Sequence, residues 1–68
     1  DHYIQEAMNE IPPAFREVVV LRDIQQLAYD EIAEITGLPM GTVKSRINRG
    51  RTKLQALLQD VYPFKDES

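Results

Sequence analysis

Apolar positions recur along this chain in four blocks, and each block carries the spacing of a helix buried on one side. Ile4, Ala7, Met8 and Ile11 lie on one face, so residues 1 to 11 are expected to form a first helix. Pro12-Pro13 ends it and opens the next, because proline suits the first turn of a helix. Ala14 to about Ile24 reads as a second helix, apolar on more than one side through Phe15, Val18, Val19, Val20, Leu21 and Ile24. The run Val18-Val19-Val20 alone fits a strand, but a single strand in so short a chain has no partner. Gln25 to Ala28 is a short connection. Tyr29 to Thr36 follows as a third helix with Ile32, Ala33 and Ile35 inward. Its acids, Asp30 and Glu31, sit in the first turn, where they complement the helix dipole. Gly37 is the stop signal and Leu38-Pro39 the turn. A fourth helix runs from Met40 to about Gln59, and Pro63 forbids much continuation. The expected architecture is all-α: a four-helix domain over residues 1–62 with a C-terminal helix-turn-helix, then a flexible tail, 63–68.

The fourth helix has three distinct sides. With Val43 at zero on a helical wheel, Ile47, Gly50, Leu54, Leu57 and Val61 fall within about 40° of it. This narrow apolar seam must face the other helices. Gly50 lies inside the seam, and a mid-helix glycine costs about 1 kcal/mol against alanine, so close backbone packing is its expected reason. Ser45, Asn48, Arg49 and Thr52 occupy the opposite face, at roughly 140° to 240°. Lys44 and Arg51 flank that face on one side, Arg46 and Lys53 on the other.

Charge sharpens this picture. The chain of 68 residues is acidic, at net −3, yet Met40 to Leu54 holds five of its eight basic residues and no Asp or Glu. Met40 to Leu58 carries +5, and the remainder, with three basic and eleven acidic residues, carries −8. Such segregation makes a positive stripe with an acidic body behind it. The stripe matches a helix in a DNA major groove, with bases in front and phosphate backbones on both sides. Arginine forks suit guanine and asparagine suits adenine. A groove engages only the first two or three turns, so Thr42 to Arg49 is assigned to DNA and Leu54 to Leu58 to packing. The plainer reading is a solvated basic face without a ligand. Against it stand the absence of acids, the three-sided layout, and the helix–turn–helix order of Tyr29–Thr36, Gly37 and the basic helix. Ala33 and Gly37, four apart, are expected to let the two helices cross closely.

Other chemistry finds little support. No cysteine is present, so disulfides and thiolate metal sites are excluded, and the single histidine, His2, excludes a multi-histidine cage. No Ser/His/Asp, Cys/His or paired-carboxylate constellation stands out, so neither an enzyme nor a cofactor is expected. The longest apolar run, Val18 to Leu21, is far too short to span a membrane. No signal peptide is visible, and a cytoplasmic module is expected. The start at Asp1 rather than Met suggests a piece of a longer protein.

The segments YDEIAEITG and LPMGTVKSRINRGR, taken together, resemble region 4 of bacterial sigma factors of the extracytoplasmic-function group. The resemblance covers about residues 9 to 58 and includes the opening Ile11-Pro12-Pro13 with Arg16. It implies recognition of the promoter −35 element as part of RNA polymerase holoenzyme. Carried over by position, it points to base-side contacts from Lys44, Ser45, Asn48 and Arg49, and to phosphate contacts from Arg22 and Tyr29. Asn48 stands at a variable position of the family and is expected to tune the preferred −35 sequence. With Thr42, Arg46 and Arg51 from the wheel, these residues make the expected DNA-binding set. The chain departs from the family at Ala28, where Ser or Thr is frequent and could cap the third helix with a hydroxyl. The resemblance also implies the flap of the polymerase β subunit and an anti-sigma factor as partners, with Phe15 and Val18 to Leu21 as an apolar patch for either.

Some positions carry two readings. Arg22 is either a phosphate ligand or a surface partner of Asp23 or Glu17, and Tyr29 either touches DNA or covers the core. Arg16 reads as a surface residue. Phe15 and Val18 to Leu21 read as core for at least half of their number. Tyr62 and Phe64 either fold back or touch a partner. Two other functions fit the layout. One is the output domain of a response regulator, which would bind DNA alone as a dimer. The other is a protein-interaction module whose basic helix meets an acidic partner. Arg46, Arg49, Arg51 and the preceding Pro39-Met40-Gly41 favour the sigma-like reading over the first. Salt-dependent binding to duplex DNA counts against the second.

Overall fold

The structure, a computed structural model, describes residues 2–59. Four helices account for most of them: α1 (His2–Glu10), α2 (Pro13–Val19), α3 (Tyr29–Thr36) and α4 (Met40–Leu58). The expected tail, and with it Val61, Tyr62 and Phe64, lies outside the described residues.

Helix α1 buries Ala7 and Met8, and Ile11 just beyond it is 1% exposed. Ile4, expected on the same face, is 40% exposed. It lines an open hollow with Met8, Val20 and Ile24. Pro13 occupies the first turn of α2, and the Pro12 carbonyl accepts the amides of Phe15 and Arg16, each at 3.0 Å. Val18 and Val19 are both buried.

The second element is not α-helical to its end. Val20–Ile24 forms a π-helical turn, closed by the Gln25 amide donating to the Val20 carbonyl at 3.0 Å. A π turn holds more residues per revolution and rotates the downstream residues about the helix axis. Ile24, counted among the apolar positions of this element, stands 65% exposed. Gln26 takes a left-handed conformation at φ 59°, and the Leu27 amide closes the reversal on the Leu21 carbonyl at 3.0 Å.

Helix α3 starts without a hydroxyl cap, as Ala28 requires. The Glu31 carboxylate accepts the Ala28 amide at 2.9 Å, which is the half of a capping box that an alanine permits. Asp30 accepts the Glu31 amide at 3.0 Å. Ile32 is fully buried, whereas Ile35, expected inward, is 61% exposed. On the wheel Ile35 lies about 60° to one side of Ile32, while Tyr29, Ala33 and Thr36 lie on the other. The core draws on that second side. Gly37 ends the helix at φ 74°, its amide donating to the Ala33 carbonyl at 2.9 Å. A Cβ there would meet no atom within 4 Å. Glycine therefore serves the left-handed backbone at this position and not the close helix crossing expected of it.

Helix α4 lays its seam on the other three. Val43, Ile47 and Gly50 are buried and Leu54 partly so. In the last turn Leu58 replaces Leu57 as the inward residue, and Leu57 is 37% exposed. At Gly50 the backbones close in: an added Cβ would lie 3.2 Å from the Phe15 carbonyl oxygen. The interior has two lobes. Val18, Ile32, Val43 and Ile47 form one under the helix-turn-helix, flanked by Leu21, Leu27, Tyr29, Ala33 and Leu38. Met8, Ile11 and Val19 form the other, flanked by Phe15, Val20 and Leu54. Among the described residues the interior holds no buried polar side chain. Val18 and Val19 thus go to the core, with Phe15, Val20 and Leu21 at its margin.

Candidate nucleic-acid interface

The dry seam of α4 fixes which residues stand outward. With Val43 fully buried and Ile47 1% exposed, the opposite face must point to solvent. Ser45, Asn48, Arg49 and Thr52 are all exposed there. Both hydroxyls of this face are turned back on their own helix. Ser45 Oγ donates to the Thr42 carbonyl at 3.3 Å and Thr52 Oγ1 to the Asn48 carbonyl at 2.9 Å. Their oxygens keep lone pairs outward, so this face offers hydroxyl acceptors, the Asn48 amide and the Arg49 fork. Thr42 and Arg46 are half-buried at its edges. Among the described residues Arg46, Arg49 and Lys53 have no ion-pair partner.

One shoulder is organised around Tyr29 at the start of α3. The Arg22 guanidinium lies 4.8 Å from the centre of the Tyr29 ring and the Lys44 ammonium 5.5 Å. Such cation–π placements contribute roughly 0.5–1 kcal/mol each at exposed sites. Arg22 also donates to the Leu27 carbonyl at 2.9 Å, which ties the π turn to the entry of α3. Among the described residues Arg22 forms no ion pair with Asp23 or Glu17, although, beside the hydrogen bonds from Arg51, its charge helps to hold the Asp23 carboxyl low. Tyr29 covers the core as one of its two readings expects: half-buried, it packs on the first lobe, and its ring also supports two cations. Arg16 reaches only the Asn9 carbonyl, at 3.5 Å, on the surface.

Arg51 differs from the expectation of a free flanking cation. It forms a two-pronged pair with Asp23, Nε donating to Oδ2 at 2.8 Å and Nη2 donating to Oδ1. The hydrogen bonds from Arg51 hold the Asp23 carboxyl below its ordinary range and raise Arg51 in turn. The π turn brings Asp23 onto α4. The two residues are 28 apart in sequence, so no local pattern announces the pair. On the other shoulder Phe15, Asn48, Arg49, Thr52 and Lys53 line an open hollow of about 420 Å³. Phe15 thus reaches the edge of the outward polar face of α4 as well as the core, a position that the spacing of α2 alone does not reveal.

Among the described residues no group of three or more His, Cys, Asp or Glu side chains could hold a metal ion. No helix of the described residues is long and apolar enough to cross a membrane.

Four helices, the last two joined by a left-handed glycine turn and the last one cationic and outward-facing, define a helix-turn-helix domain. The chain belongs to the family described as Sigma-70, region 4, which residues 1–54 match. It is 49% identical over 55 residues to the ECF RNA polymerase sigma factor SigE of Mycolicibacterium smegmatis, covering 81% of this chain and 21% of that protein. Against ECF RNA polymerase sigma factor SigW of Bacillus subtilis the identity is 45% over 58 residues, covering 85% and 31%. Against ECF RNA polymerase sigma factor EcfG of Rhodopseudomonas palustris it is 42% over 52 residues, covering 76% and 29%. The chain therefore spans between about a fifth and a third of the length of these relatives.

Proposed function

We propose that this chain is the promoter-reading module of an extracytoplasmic-function sigma factor and recognises the −35 element from within RNA polymerase holoenzyme. The observation that carries the reading is the three-sided α4: a buried seam at Val43 and Ile47, an outward polar face, and cations on both flanks. Family membership and the names of the relatives support it. Lys44, Ser45, Asn48 and Arg49 face base edges in the major groove, with Thr42 and Arg46 at the rim. Arg22 and Tyr29 meet one phosphate backbone, and Arg51 stands beside them. The β flap of the polymerase is the proposed support for the domain, and an anti-sigma factor its proposed competitor. The body outside α4 is acidic and repels DNA lacking a target, so the isolated domain binds weakly.

A base-by-base binding scan on a −35 duplex, at two salt concentrations and with the domain tethered to polymerase, tests this directly. Four or five phosphate contacts give a log–log salt slope near −4, at about −0.9 per phosphate. A slope near zero would exclude duplex DNA as the ligand. Arg49→Ala is expected to cost about 1–3 kcal/mol on the preferred sequence and to flatten the base preference. Lys53→Ala should change affinity little, because the groove engages the first turns of α4. Equal losses from both variants on every sequence would show that face and shoulder are wrongly assigned. Tight binding of the isolated chain as a dimer would favour a response-regulator output domain instead.

A further inference from the structure

Among the described residues, Asp23 is the one carboxylate ion-paired with an arginine or lysine. Arg22 and Lys44 crowd the Tyr29 ring, and Arg51 adjoins them along α4, about 20° from Lys44 on the wheel. Arg22, Asp23, Gln26 and Arg51 together line an open polar hollow of about 420 Å³. Without Asp23 this shoulder would present three unneutralised cations on the side where one duplex backbone is expected to run.

The pair between Asp23 and Arg51 is not suited to holding the fold. The Arg51 and Asp23 side chains are 43% and 37% exposed, and ion pairs in water contribute little to stability. Its geometry is nevertheless defined. Two parallel contacts present a carboxylate to the guanidinium fork as a phosphate would present its oxygens. The π turn directs Asp23 to that position, and Gln26 accepts a left-handed backbone shortly after it. A phosphate arriving at this shoulder must compete with a carboxylate already seated.

We propose that Asp23 is a positioning residue that occupies Arg51 in place of a DNA phosphate and so limits sequence-independent grip. The inference rests on the duplex-binding reading above and adds an internal restraint to it. Restrained binding to arbitrary sequence leaves discrimination to the face of α4.

Fluorescence anisotropy with the full chain decides the matter, using one labelled −35 duplex and one scrambled duplex across a salt series. Asp23→Asn should tighten binding to both duplexes about fivefold at low salt and steepen the log–log slope by about 0.9, the value of one added phosphate contact. The double variant Asp23→Asn, Arg51→Gln should lose that added slope. Urea midpoints of all the variants should stay near that of the parent, since the pair is exposed. An unchanged slope or weaker binding in Asp23→Asn overturns the proposal. So does a double variant that keeps the steeper slope, because the gain would then come from deleting a negative charge and not from releasing Arg51. Absence of salt-dependent binding by the parent chain, both alone and tethered to polymerase, defeats the duplex-binding reading itself, and the role of Asp23 with it. Parental binding with failure confined to the variants defeats only the role of Asp23.

Discussion

Val43→Asp is expected to leave the chain unfolded in dilute buffer, with far-UV circular dichroism showing loss of helix. Val43 is fully buried in the lobe formed with Val18, Ile32 and Ile47. Removing its side chain from that lobe gives up about 1.5–3 kcal/mol of apolar burial. The carboxylate has no buried polar partner to meet, since the described interior contains none. It must stay protonated or draw water in, at a further cost of several kcal/mol. A domain of this size holds roughly 3–5 kcal/mol in its core, so the sum exceeds what is available. Val43→Ala separates the two contributions: it should remain folded with a lower urea midpoint. A Val43→Asp chain that stays folded yet fails to bind a duplex would place Val43 on the reading face and contradict the seam of α4.

Gly50→Leu should unfold the domain nearly as completely, for the opposite reason of excess volume. An ideal Cβ at Gly50 comes within 2.5 Å of Val19 Cγ2 and 3.2 Å of the Phe15 carbonyl oxygen. The carbonyl belongs to the backbone of α2, and Val19 is 2% exposed, so neither has somewhere to go. Gly50→Ala makes a graded comparison. Helix propensity favours alanine by about 1 kcal/mol. Overpacking costs about 1–3 kcal/mol, and the backbone contact puts this site toward the upper end. The net expectation is a loss of about 1–2 kcal/mol, read as a lower urea midpoint at constant slope. A stabilised Gly50→Ala would mean that α2 and α4 can part at little cost.

Both predictions concern residues that the apolar rhythm of the chain identifies directly. Val43, Ile47 and Gly50 recur at helical intervals over a long element, where periodicity is least ambiguous. The reading face follows from the same wheel, because whatever lies opposite a dry seam must be wet. Errors gather where a helix is short or changes pitch. Ile35 belongs to an eight-residue helix, in which two turns leave the centre of the buried arc poorly defined. Leu57 and Leu58 are adjacent and equally apolar, so only tertiary packing chooses between them. The π turn of Val20–Ile24 carries no composition that distinguishes it from an α-helix. Asp23 on this turn meets Arg51, so the one misread shoulder of the site lies where the helix departs from α spacing. Gly37 shows a different failure: the residue is read as a stop, which holds, and also as a close-packing device, which the open space around it rules out.

The neighbouring valines of α2 have a further consequence for the molecule as a whole. Val18 faces one lobe and Val19 the other, so a helix of seven residues is the party wall of both chambers. A substitution that displaces this wall disturbs both chambers at once. The two chambers of this small domain are thus expected to be lost together, in one cooperative step.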